Sequence, residues 1–145
     1  MTENSELVLH IYKDSEMSAY TLTRLLRDLK DKDNKIKKTL EDILKECEEW
    51  KSTTKKYLKK HDAEISENGM MAKMMVGMGI DKEVNNDNSD SAIADMIIKG
   101  VSTGSVDMEK KLKQYRDEAD SKEIKLADDF LKFQEKTIDI LKEYL

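Results

Sequence analysis

The stretch from Asp120 to Leu145 constrains the fold more than any other part of the chain. Read as a helix, it places a mostly apolar series on one face at alternating steps of three and four residues. Such a series is typical of a helix in a bundle. The members are Ile124, Ala127, Leu131, Gln134, Ile138, Leu141 and Leu145. This face has to be buried against other helices, which the rest of the chain is expected to supply. Its one polar member, Gln134, lies at mid-length.

Composition favours a single all-α domain over the whole length, 1–145. The chain contains no proline and only 5 glycines, while 39 % of its residues are charged. Few helix breakers and many good helix formers indicate long helices with solvated outer faces. A chain of 145 residues is also long enough to bury a hydrophobic core.

Apolar periodicity predicts four long helices and one irregular connection. The helices are A (5–29), B (34–61), C (90–116) and D (120–145), and the crossover is 62–90. Short turns make A–B and C–D antiparallel hairpins. In the crossover we expect a short helix near 66–78, ended by Gly77 or Gly79, and then a polar surface loop. These features predict a four-helix bundle with one long connection.

The middles of the helices differ from their ends. The middle of helix A carries Ser15 and Ser18, whereas its ends carry large apolar residues on the same face. The middle of helix B carries Cys47 and Trp50. Helix C carries two glycines, Gly100 and Gly104, at its centre. Each glycine costs about 0.8–1.0 kcal/mol relative to alanine inside a helix. They therefore mark a break in the helix or a close approach of a neighbouring group.

This arrangement resembles the ferritin-like (rubrerythrin-like) superfamily, and in particular bacterial members without an assigned function. The resemblance rests on the order of helices and loop lengths over nearly the whole chain. It implies a Glu on helices A and C and a Glu-x-x-His on B and D, which together would hold two metal ions. The chain departs from that ligand pattern at most positions, so the resemblance is to a degenerate member without the di-metal ligand set.

Only four carboxylates lie near the positions that this resemblance implies for metal ligands: Glu16, Glu46, Glu49 and Glu135. Neither His10 nor His61 is central, and we expect both near helix ends. One inward Glu without a central His cannot hold a di-iron pair, since such sites need several charged ligands. We therefore expect no metal or other cofactor.

Packing is predicted to replace the lost metal site. Trp50 is large enough to fill the central space, and Gly100 and Gly104 would give it room on the opposite helix. Four small polar side chains would then bond to one another or to a buried water: Ser15, Ser18, Gln134 and Thr137.

Five methionines mark the crossover as a candidate interaction surface. They are Met70, Met71, Met74, Met75 and Met78. Thioethers suit copper(I), but methionine on a short helix is also an adaptable apolar surface that contacts other proteins. We interpret these residues as a packing or oligomer contact.

Other residues that could carry chemistry have simpler interpretations. Cys47 could be a reactive thiol, but on a core seam we interpret it as a small buried hydrophobe. The run of Ser102, Thr103 and Ser105 beside glycines lacks the strand and the Gly-Lys-Ser/Thr of a phosphate loop.

Net charge, hydropathy and cysteine content narrow the possible binding partners and the cellular compartment of the protein. The net charge is −5, with 26 basic and 31 acidic residues interleaved, which argues against nucleic-acid binding. No run approaches the ~18–20 apolar residues of a membrane span. A single cysteine fits a reducing compartment, so we expect a cytoplasmic protein.

Three functional hypotheses follow. The first is a non-enzymatic ferritin-like bundle that has lost its metal site and acts as a homodimer or other oligomer, or by binding a protein partner. The second is a di-metal carboxylate oxidoreductase or metal-binding protein with a site rearranged around Glu16, Glu46, Glu49 and Glu135. It would require helices B and D to be rotated by one residue. The third is a small-ligand binder with a pocket at Gly100–Gly104.

Overall fold

The computed structural model describes residues 3–145, which form five α-helices and no β-strand. The helices are α1 (Glu3–Asp28), α2 (Lys37–Lys60), α3 (Met70–Asn86), α4 (Asp90–Tyr115) and α5 (Ser121–Lys142). The prediction of an all-α chain is confirmed for this range. Helices α1, α2, α4 and α5 correspond to the predicted helices A to D, with ends that differ by a few residues. Of the helices described, none has the length and apolar character needed to cross a bilayer.

Side-chain caps define where α4 and α5 begin. Ser89 precedes α4, and its hydroxyl accepts a hydrogen bond from the Ala92 backbone N–H at 3.1 Å. Asp120 precedes α5, and its carboxylate accepts from the Lys122 N–H at 3.0 Å. Each cap satisfies a backbone donor that has no partner within the helix.

Three contacts between side chains fix the directions of the long helices. Asn34, between α1 and α2, donates to the Asp90 carboxylate at the start of α4 at 2.8 Å. At the other end of the bundle, Tyr57 near the end of α2 donates to Glu123 in the first turn of α5 at 2.9 Å. The hydroxyl of Thr39, at the start of α2, lies 2.6 Å from that of Tyr144, beyond the end of α5. Helices α2 and α4 therefore run in the same direction, and α1 and α5 run opposite to them.

The crossover departs from the prediction. Helix α3 begins at Met70 and continues to Asn86, so neither Gly77 nor Gly79 ends it, and most of the predicted surface loop is helical. No described glycine has a positive φ, the conformation of a glycine that caps a helix. A β-carbon on Gly77 would lie 2.7 Å from Arg24 Nη1. The glycine thus lets α3 approach α1 closely.

The part of α3 beyond the glycines is held by contacts with α1 and α4. Ile80 and Val84 are buried in a core cluster shared with both helices. Arg24 on α1 donates from Nε to Asp81 at 3.1 Å. This packing stabilises the continuation of α3 through a polar stretch that was predicted to be a surface loop.

Helix α1 contacts each of the other four helices, and the core around it divides into clusters. One cluster surrounds Leu25 and Ile97 where α1 ends and α4 begins. A second surrounds Ile11 and Phe130 where α4 ends and α5 begins. A third joins the first turns of α1 to Tyr57 near the end of α2. Between the first two clusters, α1 presents small and polar residues.

The buried face of α5 is rotated slightly from the prediction. Its buried residues are Glu123, Ala127, Phe130, Gln134, Thr137 and Leu141. Leu131 and Ile138 are only partly buried, and Leu145 is 62 % exposed, so the predicted burial of Leu145 is wrong. Phe130 accounts for the shift because its ring packs in the cluster with Ile11.

Candidate functional site

A cleft of about 690 Å³ lies at mid-height of the bundle, between the first two core clusters. Helices α1 and α4 form its walls, and side chains from α2, α3 and α5 complete it. Its volume lies within the range of small-molecule sites. The cleft exists because α1 has small and polar residues here while α4 has glycines, so neither helix fills the space between them.

One end of the cleft is apolar. The residues of this apolar end are Leu22, Ile43, Val76, Ile80, Met96 and Ile97. They come from four helices, α1 to α4, so α3, the helix of the crossover, helps to close this end. A surface of this kind accommodates a hydrocarbon or aromatic group.

A central polar group lies in the middle of the cleft and consists of Asp14, Ser18 and Gln134. Ser18 donates to Oδ1 of Asp14 at 3.2 Å, one turn along α1. The amide of Gln134, on α5, makes a long 3.5 Å contact from Nε2 to Oδ2 of Asp14. The amide oxygen Oε1 of Gln134 is buried and has no hydrogen-bond partner in the described part of the protein.

No cation balances the Asp14 carboxylate among the residues that the structure describes. Its pKa is raised to about 6, chiefly by burial; the Ser18 hydrogen bond opposes this shift and the charge of the nearby Asp107 adds to it. Buried carboxylates in folded proteins are usually paired with a cation or a metal. Asp14 is therefore a partly satisfied acceptor at the centre of the cleft.

Gly104 makes room for this carboxylate. A β-carbon at position 104 would lie 2.7 Å from Oδ2 of Asp14 and 3.2 Å from Nε2 of Gln134. A β-carbon at Gly100, one turn earlier on α4, would meet no atom of another residue within 4 Å and would face open space. Helix α4 runs unbroken through both positions, so the glycines do not mark a break, and Gly104 marks a close approach.

The other end of the cleft is charged. His10 and Lys13 on α1 lie there with Asp107 and Lys111 on α4. The Nε2 atom of His10 is buried without a hydrogen-bond partner among the described residues, and burial, followed by the charge of Lys111, lowers the His10 pKa. The cleft thus runs from an apolar end, through the central polar group, to a charged end.

Cys47 reaches the cleft from α2 but has the properties of a buried hydrophobe. It is free and buried, and burial, reinforced by the charge of Asp14, raises its pKa to about 12. A thiol nucleophile needs a lowered pKa. The interpretation of Cys47 as an unreactive core residue agrees with this environment.

The expected network among small polar residues is absent from the described structure. Ser15 donates to the Ile11 carbonyl, and Thr137 donates to the Phe133 carbonyl, each at the preceding turn of its own helix. Asp14, which the sequence patterns did not single out, instead joins α1 to Gln134. The sequence signal that could have identified Asp14 as an inward residue was its position, three residues after Ile11 and one turn before Ser18.

Trp50 does not fill the centre, so that expectation is wrong. The indole is half-buried and packs edge-on against Phe130, with ring centroids 5.2 Å apart. It also lies near Phe133, at 6.4 Å. The glycines of α4 face Asp14 and open space, and the indole belongs to the cluster beside the cleft.

The four carboxylates considered as metal ligands have separate environments. Glu16 is buried and accepts hydrogen bonds at 3.0 Å from the backbone N–H and side-chain amide of Asn68; Lys73 Nζ lies 3.2 Å away. Glu46 lies 3.8 Å from Lys136, whereas Glu49 and Glu135 are exposed. Within residues 3–145, no three His, Cys, Asp or Glu side chains are grouped so that they could hold a metal ion.

The crossover helix α3 presents a methionine face to solvent, which consists of Met70, Met71, Met74, Met75 and Met78. These side chains are between 54 and 80 % exposed. The opposite side of the same helix carries Val76, Gly77 and Ile80 against α1 and the core. Monomeric proteins rarely expose apolar patches larger than a few hundred Å². The methionine face is therefore a second candidate for function.

Comparison of the chain with protein-family models, with curated proteins and with solved structures gives no match.

Proposed function

We propose that the chain is a cytoplasmic, non-enzymatic, ferritin-like helical bundle that self-associates through its methionine face. The observation that carries this proposal is the row of five exposed methionines on α3. Burial of a methionine side chain contributes roughly 1.5–3 kcal/mol, so covering several of them on both copies provides a substantial driving force.

A second copy of the chain suits this face better than a charged partner. From Met70 to Gly79, the only charged residue is Lys73, and its ammonium lies 3.2 Å from Glu16 at the junction with α1. The exposed side therefore offers no charge that would select an acidic or basic partner. Flexible thioether side chains adapt to one another, and a two-fold axis would bring identical faces together.

The directions of the helices support the ferritin-like part of the proposal. The long crossover makes α2 and α4 parallel and keeps the α1–α2 and α4–α5 hairpins antiparallel, as expected of a bundle with one long connection. The cleft lies at mid-height, where the resemblance implies metal ligands. Asp14, Cys47, Gly104 and Gln134 are found there.

The separate environments of the carboxylates support a non-enzymatic role. Glu16, the inward acid of α1, holds the crossover through Asn68. A metal analysis of the purified protein is expected to find far less than one iron or manganese per chain. A content near two per chain would instead favour the alternative, a di-metal carboxylate protein.

The self-association is tested by size in solution. Light scattering coupled to gel filtration is expected to give a dimer for the unmodified chain. The double variant Met71→Lys/Met75→Lys is expected to be monomeric, because it places charges in the centre of the contact. A matched variant, Ser52→Lys/Thr53→Lys, adds the same charge on the exposed side of α2 and is expected to remain dimeric. A monomeric unmodified chain, or a dimeric methionine variant, would count against the proposal.

A further inference from the structure

The cleft has polar and apolar regions in an order that indicates the chemistry of a ligand. Asp14 is one turn from Ser18 and two turns from Leu22 along α1, which separates the backbones of Asp14 and Leu22, a residue of the apolar end, by about 12 Å along the helix axis. An elongated molecule with a polar group at one terminus matches this spacing. The observations that define this ligand do not involve the methionine face.

The central polar group requires hydrogen-bond donors. Asp14 is a carboxylate whose Oδ2 atom has only a long contact with Gln134, and the amide oxygen of Gln134 has no partner among the described residues. Both free positions are acceptors. A ligand that places N–H groups between them would satisfy both, and a positive charge on it would also balance the half-buried Asp14 carboxylate.

Other classes of ligand fit less well. A carboxylate or phosphate would meet the acceptors of Asp14 and Gln134 and would be repelled. An alcohol has one donor and no charge. A bare divalent cation such as Ca²⁺ takes about 6–8 oxygen ligands, whereas one carboxylate and one amide converge at this point in the described residues.

We propose that the cleft binds an elongated apolar molecule that carries a protonated amine. The ammonium group donates to the Asp14 carboxylate, and rotation of the buried Gln134 side chain brings its unpaired amide oxygen to the same group. Its hydrocarbon or aromatic part lies along the cleft against the apolar end. Gly104 is a positioning residue because its missing side chain leaves the carboxylate at this point in the cleft.

Calorimetric titration of the full chain with three probes of equal length tests this assignment. The probes are decylamine, decan-1-ol and decanoate, at pH 7.5 and physiological salt, where the amine is protonated as a lysine is. Decylamine is expected to bind with one molecule per chain. Decan-1-ol is expected to bind roughly tenfold or more weakly, since it lacks the charged hydrogen bonds. Decanoate is expected not to bind detectably.

Variants separate a specific role of Asp14 from general attraction to an acidic protein. Asp14→Asn is expected to weaken decylamine roughly tenfold or more and to leave decan-1-ol unchanged, because it removes the charge at nearly constant shape. Glu135→Gln removes an exposed charge on α5, outside the lining of the cleft, and is expected to leave the affinity for decylamine within about twofold. Circular dichroism verifies that each variant is folded.

Three further variants protect the test against misfolding and against binding elsewhere. Gly104→Ala crowds Asp14 and is expected to weaken decylamine, whereas Gly100→Ala, one turn away, keeps the carboxylate in place. Met71→Lys/Met75→Lys is expected to bind decylamine as the unmodified chain does. Absent binding, equal affinities for amine and alcohol, an unchanged affinity in Asp14→Asn, or loss of binding in the methionine variant would overturn the assignment.

Discussion

Gly104 and Asp14 face each other so closely that a β-carbon at position 104 would lie 2.7 Å from Oδ2 of the carboxylate. The two residues belong to α4 and α1, which run antiparallel on either side of the cleft. The relationship gives the two glycines of α4 different roles. Gly104 accommodates a charged side chain from another helix, while Gly100 borders open space.

Alanine substitutions at the two glycines are expected to differ in stability. Gly100→Ala should raise the free energy of unfolding by about 0.8–1.0 kcal/mol, because alanine is the better helix former and nothing obstructs its β-carbon. Gly104→Ala gains the same preference but has to displace Asp14, and overpacking of this kind costs about 1–3 kcal/mol. Urea unfolding of both variants measures the difference. Equal stabilisation at both sites would contradict the close approach of Asp14.

The stability of the protein is expected to depend on pH through Asp14. Its pKa is about 6 in the folded chain, owing to burial, and about 4 in the unfolded chain. Between these values the folded state binds more protons, so its stability falls as pH rises from about 4 to 6 and levels off above. The groups that face Asp14 are Ser18 on its own helix, Cys47 on α2, Asp107 on α4 and Gln134 on α5.

Asp14→Asn is expected to remove this dependence and to be more stable than the unmodified chain by roughly 3 kcal/mol at pH 7. The advantage should shrink towards pH 4, where Asp14 is protonated in the folded state and increasingly so in the unfolded state. Urea unfolding at a series of pH values measures it. Glu135→Gln, which removes an exposed charge on α5 away from Asp14, is the control and is expected to keep the fall between pH 4 and 6. A constant advantage of Asp14→Asn at every pH would show that Asp14 does not titrate in this range.

Glu16 is expected to hold the crossover segment 62–69 against α1. Its carboxylate accepts two hydrogen bonds from Asn68 and contacts Lys73, and the Asn68 donors keep its pKa below the ordinary value despite the opposing effect of burial. Glu16→Ala leaves these donors without their acceptor, which costs about 1–3 kcal/mol. Hydrogen exchange in 62–69 should accelerate. The control is Glu49→Ala, at an exposed position on α2, which should leave hydrogen exchange in 62–69 unchanged. If Glu16→Ala also left the exchange in 62–69 as slow as in the unmodified chain, this role of Glu16 would be refuted.

Cys47 is expected to react with a thiol reagent only when the chain unfolds. Its pKa of about 12, raised by burial, leaves almost no thiolate at pH 8. The rate of reaction with an aromatic disulfide should therefore be orders of magnitude slower than in urea. Reaction in native buffer at the rate measured in urea would show that the thiol is accessible.

The four long helices could be predicted from the sequence because their apolar residues recur over six or seven turns. A short helix near 66–78 was also expected, but the continuation of α3 to Asn86 was not, because the prediction relied on glycine as a stop signal. Position 77 is instead a glycine because a β-carbon there would collide with Arg24. Ile80 and Val84 pack the mostly polar second half of α3 against the core. Contacts of this kind join residues more than fifty positions apart, so local patterns do not reveal them.

The rotation of α5 shows a second limit of periodicity. The predicted face through Leu131 and Ile138 and the observed face through Phe130 and Thr137 have the same alternating spacing and share Gln134. Spacing alone does not choose between them, whereas the cluster that receives Phe130 does.

The sequence indicated the candidate cleft only indirectly. Ser18, Gly100 and Gly104 indicated missing volume in the middle of the bundle, and Gln134 indicated a polar interior. Asp14 was missed because a charged residue among others on a helix usually faces solvent. The partial burial of Asp14 depends on α4, where Gly104 leaves the space that the Asp14 carboxylate occupies.

The position of α1 as the common neighbour of all other helices has a consequence for biosynthesis. Translation delivers α1 before the helices that cover it, and α4 and α5 follow only after more than half of the described chain. During that interval the α1–α2 hairpin is expected to expose Leu22, Leu25 and Ile43, which the later helices cover in the folded protein. Nascent chains in this state are prone to aggregate, so the intermediate is a natural substrate for chaperones at the ribosome.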